Sequence, residues 1–380
     1  MLLQESYKKS KTEKDSIDKP LVYIILTLLF FGLCIMFSGS AVTAVREFSD
    51  TMYFVKKQFL WIVVSFVFFL IFANIPYKVY QVYSHFLILF AILLLVAVFI
   101  PGIGKSVSTY YGRNFHRWIS IGTFQLQPSE FSKIAVIVYV SATILKLKKK
   151  SENKFQNYIL PGIVITVLLT LLVTEPAFGT TVEIFCMIVT LIFIAGFSIK
   201  KLMFGFISMI PLVFVLIYHV GYRKKRIEVW LEPYKYRFDE GHQLVSSFKA
   251  FAEGGWFGKP LSTGYSHRYL TYCHTDFVLA TFVEDFGFIG FVLLYLLFLL
   301  LLTRSFLLLQ KVKDQFGFLL GTGILSMLGI QVLINLFVVT GMLPITGISL
   351  PFISYGGSSM LATMISLGIF INITKKGNLN

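Results

Sequence analysis

Ten stretches of roughly 20 apolar residues, separated by short polar loops, leave this chain few ways to fold. They lie at about 21–39, 58–75, 82–101, 129–146, 157–174, 180–198, 202–220, 277–302, 316–341 and 352–373. Each is long enough to cross the ~30 Å hydrocarbon layer of a bilayer as a helix. In that solvent every backbone N–H and C=O must be satisfied within the protein, which a helix does by itself and an open strand does not. A soluble alternative fails on composition, because 56% of the residues are apolar and only 14% charged, more apolar surface than one core can hide. The expectation is an all-α polytopic membrane protein with about ten transmembrane helices.

The net charge of +15 could suggest nucleic acid, but the cations sit in short clusters between the apolar runs, where the positive-inside rule puts them. Lys8, Lys9, Lys11, Lys14 and Lys19 precede the first span, and alternate loops repeat the pattern at Lys146 to Lys154, Lys200 and Lys201, Arg304 to Lys313, and Lys375 and Lys376. An even number of spans then puts both termini in the cytoplasm: a basic segment 1–19, a membrane domain 20–374 and a tail 375–380. Cys34, Cys186 and Cys273 are odd in number and imply no disulfide framework. The lysine-rich start runs into a span with no small-residue cleavage site, so no cleavable signal is expected, and no nucleotide-binding glycine loop points to an ATP-driven domain. One loop departs from the rule. Residues 221–276, outside by this topology, carry nine basic residues including Arg223-Lys224-Lys225-Arg226, either a solvated face or a holder of something anionic.

Four polar, Gly- and Pro-containing segments all fall on the outer face: Phe115 to Lys133, Glu175 to Thr180, the loop ending at Asp276, and Gly341 to Ser359. Pro128 is suited to the first turn of a helix, which sets Glu130 and Lys133 three apart on one face just inside the membrane. Either the two neutralise each other, or Lys133 meets an anion with Glu130 orienting it. Trp118 beside Arg117 is an interfacial anchor or a packing surface for a lipid-linked substrate. Gly341 to Ser359 is too rich in Gly, Pro and Ser for a continuous helix and reads as a re-entrant or cap-like loop. Ser354 and Ser358 are then candidates to line a cavity, or simply small residues for close packing. In His274-Thr275-Asp276-Phe277, an ionisable side chain sits where a polar loop meets a long apolar run, which is a candidate functional site by default.

Together these segments resemble the SEDS family of bacterial cell-wall glycan polymerases (FtsW, RodA and SpoVE). The resemblance rests on Arg117 to Lys133 (R-W-I, then Q-P-S-E-x-x-K), Pro176 to Thr180, Gly254 to Gly258, His274 to Gly287 (H-T-D-F, then E-x-x-G) and Thr340 to Ser359, in the family's order over roughly 20–374. It implies a ten-span peptidoglycan glycosyltransferase, inverting at the sugar, that polymerises lipid II into strands at the outer face of the cytoplasmic membrane. Its implied partner is a class B penicillin-binding transpeptidase, together with other division or elongation membrane proteins. The resemblance makes Asp276 the essential acid and puts Trp118 near the substrate. The chemistry agrees: a sugar hydroxyl attacking an anomeric carbon must lose a proton, and a carboxylate can take it. Arg117, Lys133, Arg223 and Arg226 are candidates to stabilise the departing pyrophosphate, with His274 and Thr275 beside the base. A divalent cation, Mg2+ or Mn2+, could do that work instead, although no metal cluster stands out.

The chain also departs from the family. Ala177 stands where the family carries an acid, leaving Glu175 or Glu183 to substitute. Thr271-Tyr272-Cys273, Asp285 and Pro260 also differ from the usual residues. The polar start, Phe37-Ser38-Gly39-Ser40, Tyr53 to Gln58 and Phe248-Lys249-Ala250-Phe251 resemble the division member more than the elongation member. Two other functions compete: a lipid II flippase, which would need essential polar residues at mid-membrane, and a scaffold without catalysis.

Overall fold

The computed structural model describes residues 18–108, 114–122, 124–149, 156–175, 177–198, 200, 221–261, 263–266 and 275–376. The expected seventh span and His274 lie outside them. The other nine expected spans each coincide with a helix. Helix α1 (Lys19–Phe48) opens on Asp18, whose side chain accepts a hydrogen bond from the Leu21 amide at 2.9 Å. There follow α2 (Tyr53–Asn74), the short α3 (Lys78–Val82) and α4 (Ser84–Ala97). After a small sheet come α5 (Pro128–Lys149), α6 (Gln156–Thr174) and α7 (Phe178–Ile194). The rest are α8 (Gly221–Leu231), α9 (His242–Gly254), α10 (Val278–Leu309), α11 (Gln315–Val339) and α12 (Gly357–Lys376). Six of the described helices are long and apolar enough to cross a membrane. Two more, α4 and α7, are apolar but shorter.

The sheet is the one departure from an all-helical expectation. Strands β1 (Gly104–Ser108), β2 (Asn114–Ile121) and β3 (Phe124–Leu126) pair antiparallel in that order. They lie in the loop between α4 and α5, where the chain is too polar and too short of apolar periodicity to continue as a span. Pairing steps from Ser106 opposite His116 to Lys105 opposite Trp118. Arg117 is therefore the extra residue of a β-bulge, an irregularity that re-aims a side chain.

Helix α12 forms the centre, buried along nearly all its length and packed on α2, α5 and α11. The outward faces of α2 (Phe59, Leu60, Val63, Leu70) and α10 (Leu293, Leu296, Leu299, Leu300) stay exposed, as a hydrocarbon solvent allows. Helix α10 is kinked at Gly287, whose φ of 65° breaks the helix. A break at this depth leaves amides and carbonyls without helical partners, and a neighbouring loop supplies them. Lys259 donates its amide to the Glu284 carbonyl (2.9 Å), and Phe288 donates to Gly255 (2.8 Å). A Cβ on Gly287 would come within 2.5 Å of the Gly258 amide, and one on Gly258 within 2.1 Å of the Asp285 carbonyl. The Gly254 to Gly258 and Glu284 to Gly287 motifs are thus two halves of one backbone joint. The Glu284 carboxylate fastens it further, accepting from the amides of Tyr265 and Ser266 and from the Ser266 hydroxyl. Glu284 is a clamp.

Candidate active site

Asp276 lies in the turn just before α10, half-buried. Its carbonyl accepts a hydrogen bond from Asn335 Nδ2 of α11 at 3.0 Å, and the same nitrogen donates to the Ile348 carbonyl at 2.9 Å. One side chain thereby fixes both Asp276 and the 341–356 loop. That loop closes over the carboxyl group: a Cβ added to Gly347 (φ 75°) would sit 3.6 Å from Asp276 Oδ2, in van der Waals contact.

The loop is hung from its neighbours mainly by main-chain carbonyls. Arg226 Nη1 donates to Ile345 at 2.7 Å, Trp230 Nε1 to Gly341 at 2.8 Å, and Ser247 Oγ to Val339, just before the loop, at 2.8 Å. At its far end Ser354 Oγ accepts from the Leu350 amide (2.8 Å). Ser358 Oγ accepts from the Gln127 amide (3.0 Å) and donates to the Gln125 carbonyl (3.2 Å). Ser354 and Ser358 thus act as clasps of the cap, each hydroxyl bonded to backbone within or beside it.

The basic run divides by helical phase. In α8, Arg223 and Arg226 are three apart and turn inward, Arg223 donating to the Val173 carbonyl at 2.7 Å and lying over the Phe178 ring. Lys224 pairs with Glu228 at 3.7 Å on the exposed side, and Lys225 lies over the Tyr236 ring. The Asp276 carboxyl is pushed above the ordinary aspartate range by burial, against the pull of Arg226 and then Arg117. Two of the expected cations, from β2 and from α8, thus bear on the expected base. Arg117 also donates Nε to the Glu175 carbonyl at 3.3 Å. Thr275 is half-buried in the same turn, and Trp118 is half-buried on β2.

Lys133 is elsewhere. Its Nζ lies 2.9 Å from Glu130 Oε2 and 3.3 Å from Glu183 Oε1, with all three side chains buried. Of the two readings of Lys133, the neutralised pair is the one observed, extended by Glu183 to join α5 to α7. An ammonium held between two carboxylates has little charge to offer a further anion. Glu175 differs from Glu183: buried beside Arg117, its carboxyl oxygens find no hydrogen-bond partner among the described residues. Burial pushes this carboxyl up to about 8, opposed by Arg117. No group of three His, Cys, Asp or Glu among the described residues gathers as a site for Mg2+ or Mn2+ would need.

Asn335 escaped the reading of the sequence. An isolated amide in an apolar run was the available signal, since such a residue marks an interior contact.

Known proteins with this sequence pattern and shape bear on the site. The FtsW/RodA/SpoVE family of cell cycle proteins matches residues 19–379. The chain is 38% identical over 371 residues to stage V sporulation protein E of Bacillus subtilis, covering 96% of this chain and 98% of that protein. It is 34% identical over 358 residues to the "Probable peptidoglycan glycosyltransferase FtsW" of Trichlorobacter lovleyi, covering 94% and 93%. Among solved structures, a chain of a peptidoglycan synthase complex that coordinates polymerization and crosslinking superposes with a TM-score of 0.79 at 24% identity, covering 96% and 99%. Rod shape determining protein RodA of Thermus thermophilus superposes at 0.69 with 22% identity, covering 95% and 98%, and these two likenesses speak to the fold. With a match along almost its whole length, this multi-pass membrane protein belongs to the FtsW/RodA/SpoVE family.

Proposed function

We propose that the protein is a peptidoglycan glycosyltransferase that polymerises lipid II at the outer face of the bacterial cytoplasmic membrane, with Asp276 as general base. The observation that carries the reading is Asp276 itself: a half-buried carboxyl under an ordered cap, on a residue whose main-chain carbonyl is held by Asn335, with Arg226 and Arg117 bearing on the carboxyl. In the step proposed, an acceptor sugar hydroxyl gives its proton to Asp276 and attacks the donor's anomeric carbon. A new glycosidic C–O bond forms, the bond from that carbon to the pyrophosphate oxygen breaks, and the lipid pyrophosphate leaves with the electron pair. Arg117 and Arg226 are suited to the negative charge gathering on that leaving group, being fixed in place before the reaction begins. Relatives named peptidoglycan glycosyltransferase support the activity, and the name FtsW among them supports a septal role in division over elongation. Likeness to a chain of a synthase complex that couples polymerization to crosslinking supports a class B penicillin-binding transpeptidase as partner.

The test is Asp276→Asn, purified with its partner transpeptidase and supplied with lipid II. Polymer formation should fall at least about a hundredfold, the low end of what a general base contributes, with the protein still folded. Polymerisation at the wild-type rate would remove Asp276 from the mechanism. Lipid flipping in vesicles without any polymer would turn the reading toward transport.

A further inference from the structure

Glu175 is a buried carboxyl that the mechanism above leaves unused. It sits in the turn joining α6 to α7, 1% exposed, and neither of its carboxyl oxygens has a hydrogen-bond partner among the described residues. An ionised carboxylate left so would be very expensive, whereas a protonated one costs far less. Its own backbone carbonyl accepts from Arg117 Nε, so the turn that carries the carboxyl also holds the guanidinium. Arg117 is shared, because its charge acts on both the Glu175 and the Asp276 carboxyl groups.

The surrounding charges are otherwise committed. From α8, Arg223 donates to the Val173 carbonyl two residues earlier and lies over the Phe178 ring. From α5, Lys133 is held between Glu130 and Glu183. Arg117, from β2, is the charged group that acts on the Glu175 carboxyl. Glu183 is taken by Lys133, so Glu175 is the acid of this turn that is free of an ion pair, two residues before Ala177.

We infer that Glu175 is a positioning residue acting through Arg117: while it keeps its proton, the charge of Arg117 is available to Asp276 and to the anionic leaving group, and when it ionises it claims that charge for itself. The inference rests on the proposed function. The change is a single proton passing from the carboxyl to solvent, with no covalent step. With this carboxyl ionising at about pH 8, an alkaline limb in polymerisation follows, in turnover as well as in affinity, because the charge withdrawn is the one that steadies the leaving group.

The experiment compares wild type with Glu175→Gln, a near-isosteric variant that cannot ionise, in the full-length protein with its partner transpeptidase. Both kcat and KM for lipid II are measured from pH 6 to pH 9.5. Wild-type kcat should fall several-fold through pH 8, and Glu175→Gln should flatten that fall. In parallel, infrared difference spectra of the protein in lipid nanodiscs should show a protonated carboxyl band that titrates near pH 8 in wild type and is missing from Glu175→Gln. This second readout stands even if the variant is inactive. An alkaline limb and band that persist in Glu175→Gln overturn the inference, as does a wild-type protein with no such band. Asp276→Asn, assayed alongside, judges the general base separately: loss of its activity with an unchanged Glu175 band keeps the two readings apart.

Discussion

Asp276 is held between opposing influences, burial raising its proton affinity and two arginines lowering it. The proposed role needs the ionised carboxylate, so activity should be lost as pH falls through that affinity. Removing Arg226, the larger of the two pulls, should move the acid limb of kcat/KM to higher pH. Arg226→Gln read against Arg226→Lys, which keeps the charge, separates electrostatics from the lost hydrogen bond to Ile345; equal limbs in both variants would assign the effect to the bond. Glu175 predicts a stability trend of the other sign from an ordinary carboxylate. Its folded-state value, about 8, lies above the usual 4.5, so unfolding is increasingly favoured as pH rises from about 4.5 to about 8 and levels off above. Glu175→Gln should remove that part of the decline in thermal midpoint. The residues legible in the sequence were those whose chemistry is visible alone: an acid at a membrane boundary, a cation run in an outer loop. Arg226 could be told from Lys224 only once α8 gave the run a phase. The clasp roles of Ser354 and Ser358 depend on partners more than two hundred residues away for Ser358 and on loop shape for Ser354, which no local pattern carries.

At the scale of elements, the glycine motifs are geometry. Gly287→Ala would place a Cβ against the Gly258 amide at a φ that side chains avoid, so the joint must open. A cost of roughly 1–3 kcal/mol for the backbone conformation alone, before the clash, should lower the thermal midpoint in detergent by several degrees. An unchanged midpoint would mean the kink can relax without the loop. The Lys133 triad makes a second element-level prediction. Lys133→Met leaves two buried carboxylates uncompensated and should cost about 3–5 kcal/mol, whereas adding Glu130→Gln and Glu183→Gln should restore folding. Activity in the triple variant then marks the triad as architecture. Hydropathy located a helix at each of the nine described positions, six of them long enough to cross, because hydrocarbon imposes a length that sequence cannot hide. The three short strands went unseen because their pairing is set by contacts between strands and not by a run of any one kind of residue.

For the whole molecule, the alternation of lysine-rich loops predicts which groups meet the outside. A single cysteine in place of half-buried Lys259, whose side chain is 39% exposed, in a background lacking Cys34, Cys186 and Cys273, should react with a membrane-impermeant maleimide on intact spheroplasts. One at Lys311 should react only after the membrane is opened. The reverse pattern would invert the topology and put Asp276 on the wrong side for the proposed chemistry. Helices α1 and α10 are tied twice across that span. Arg304 Nη2 meets Asp18 Oδ2 at 2.6 Å at one end, and Ser38 Oγ donates to Asp285 Oδ2 at the other. The ties are twenty residues apart along α1, or about 30 Å of helical rise, close to the thickness of the hydrocarbon itself. Antiparallel helices pinned at two such points cannot slide past one another. The pair is a strut of fixed length, and a bilayer that thins or thickens around it must tilt the strut or bend its own lipids, leaving the kink at Gly287 undisturbed.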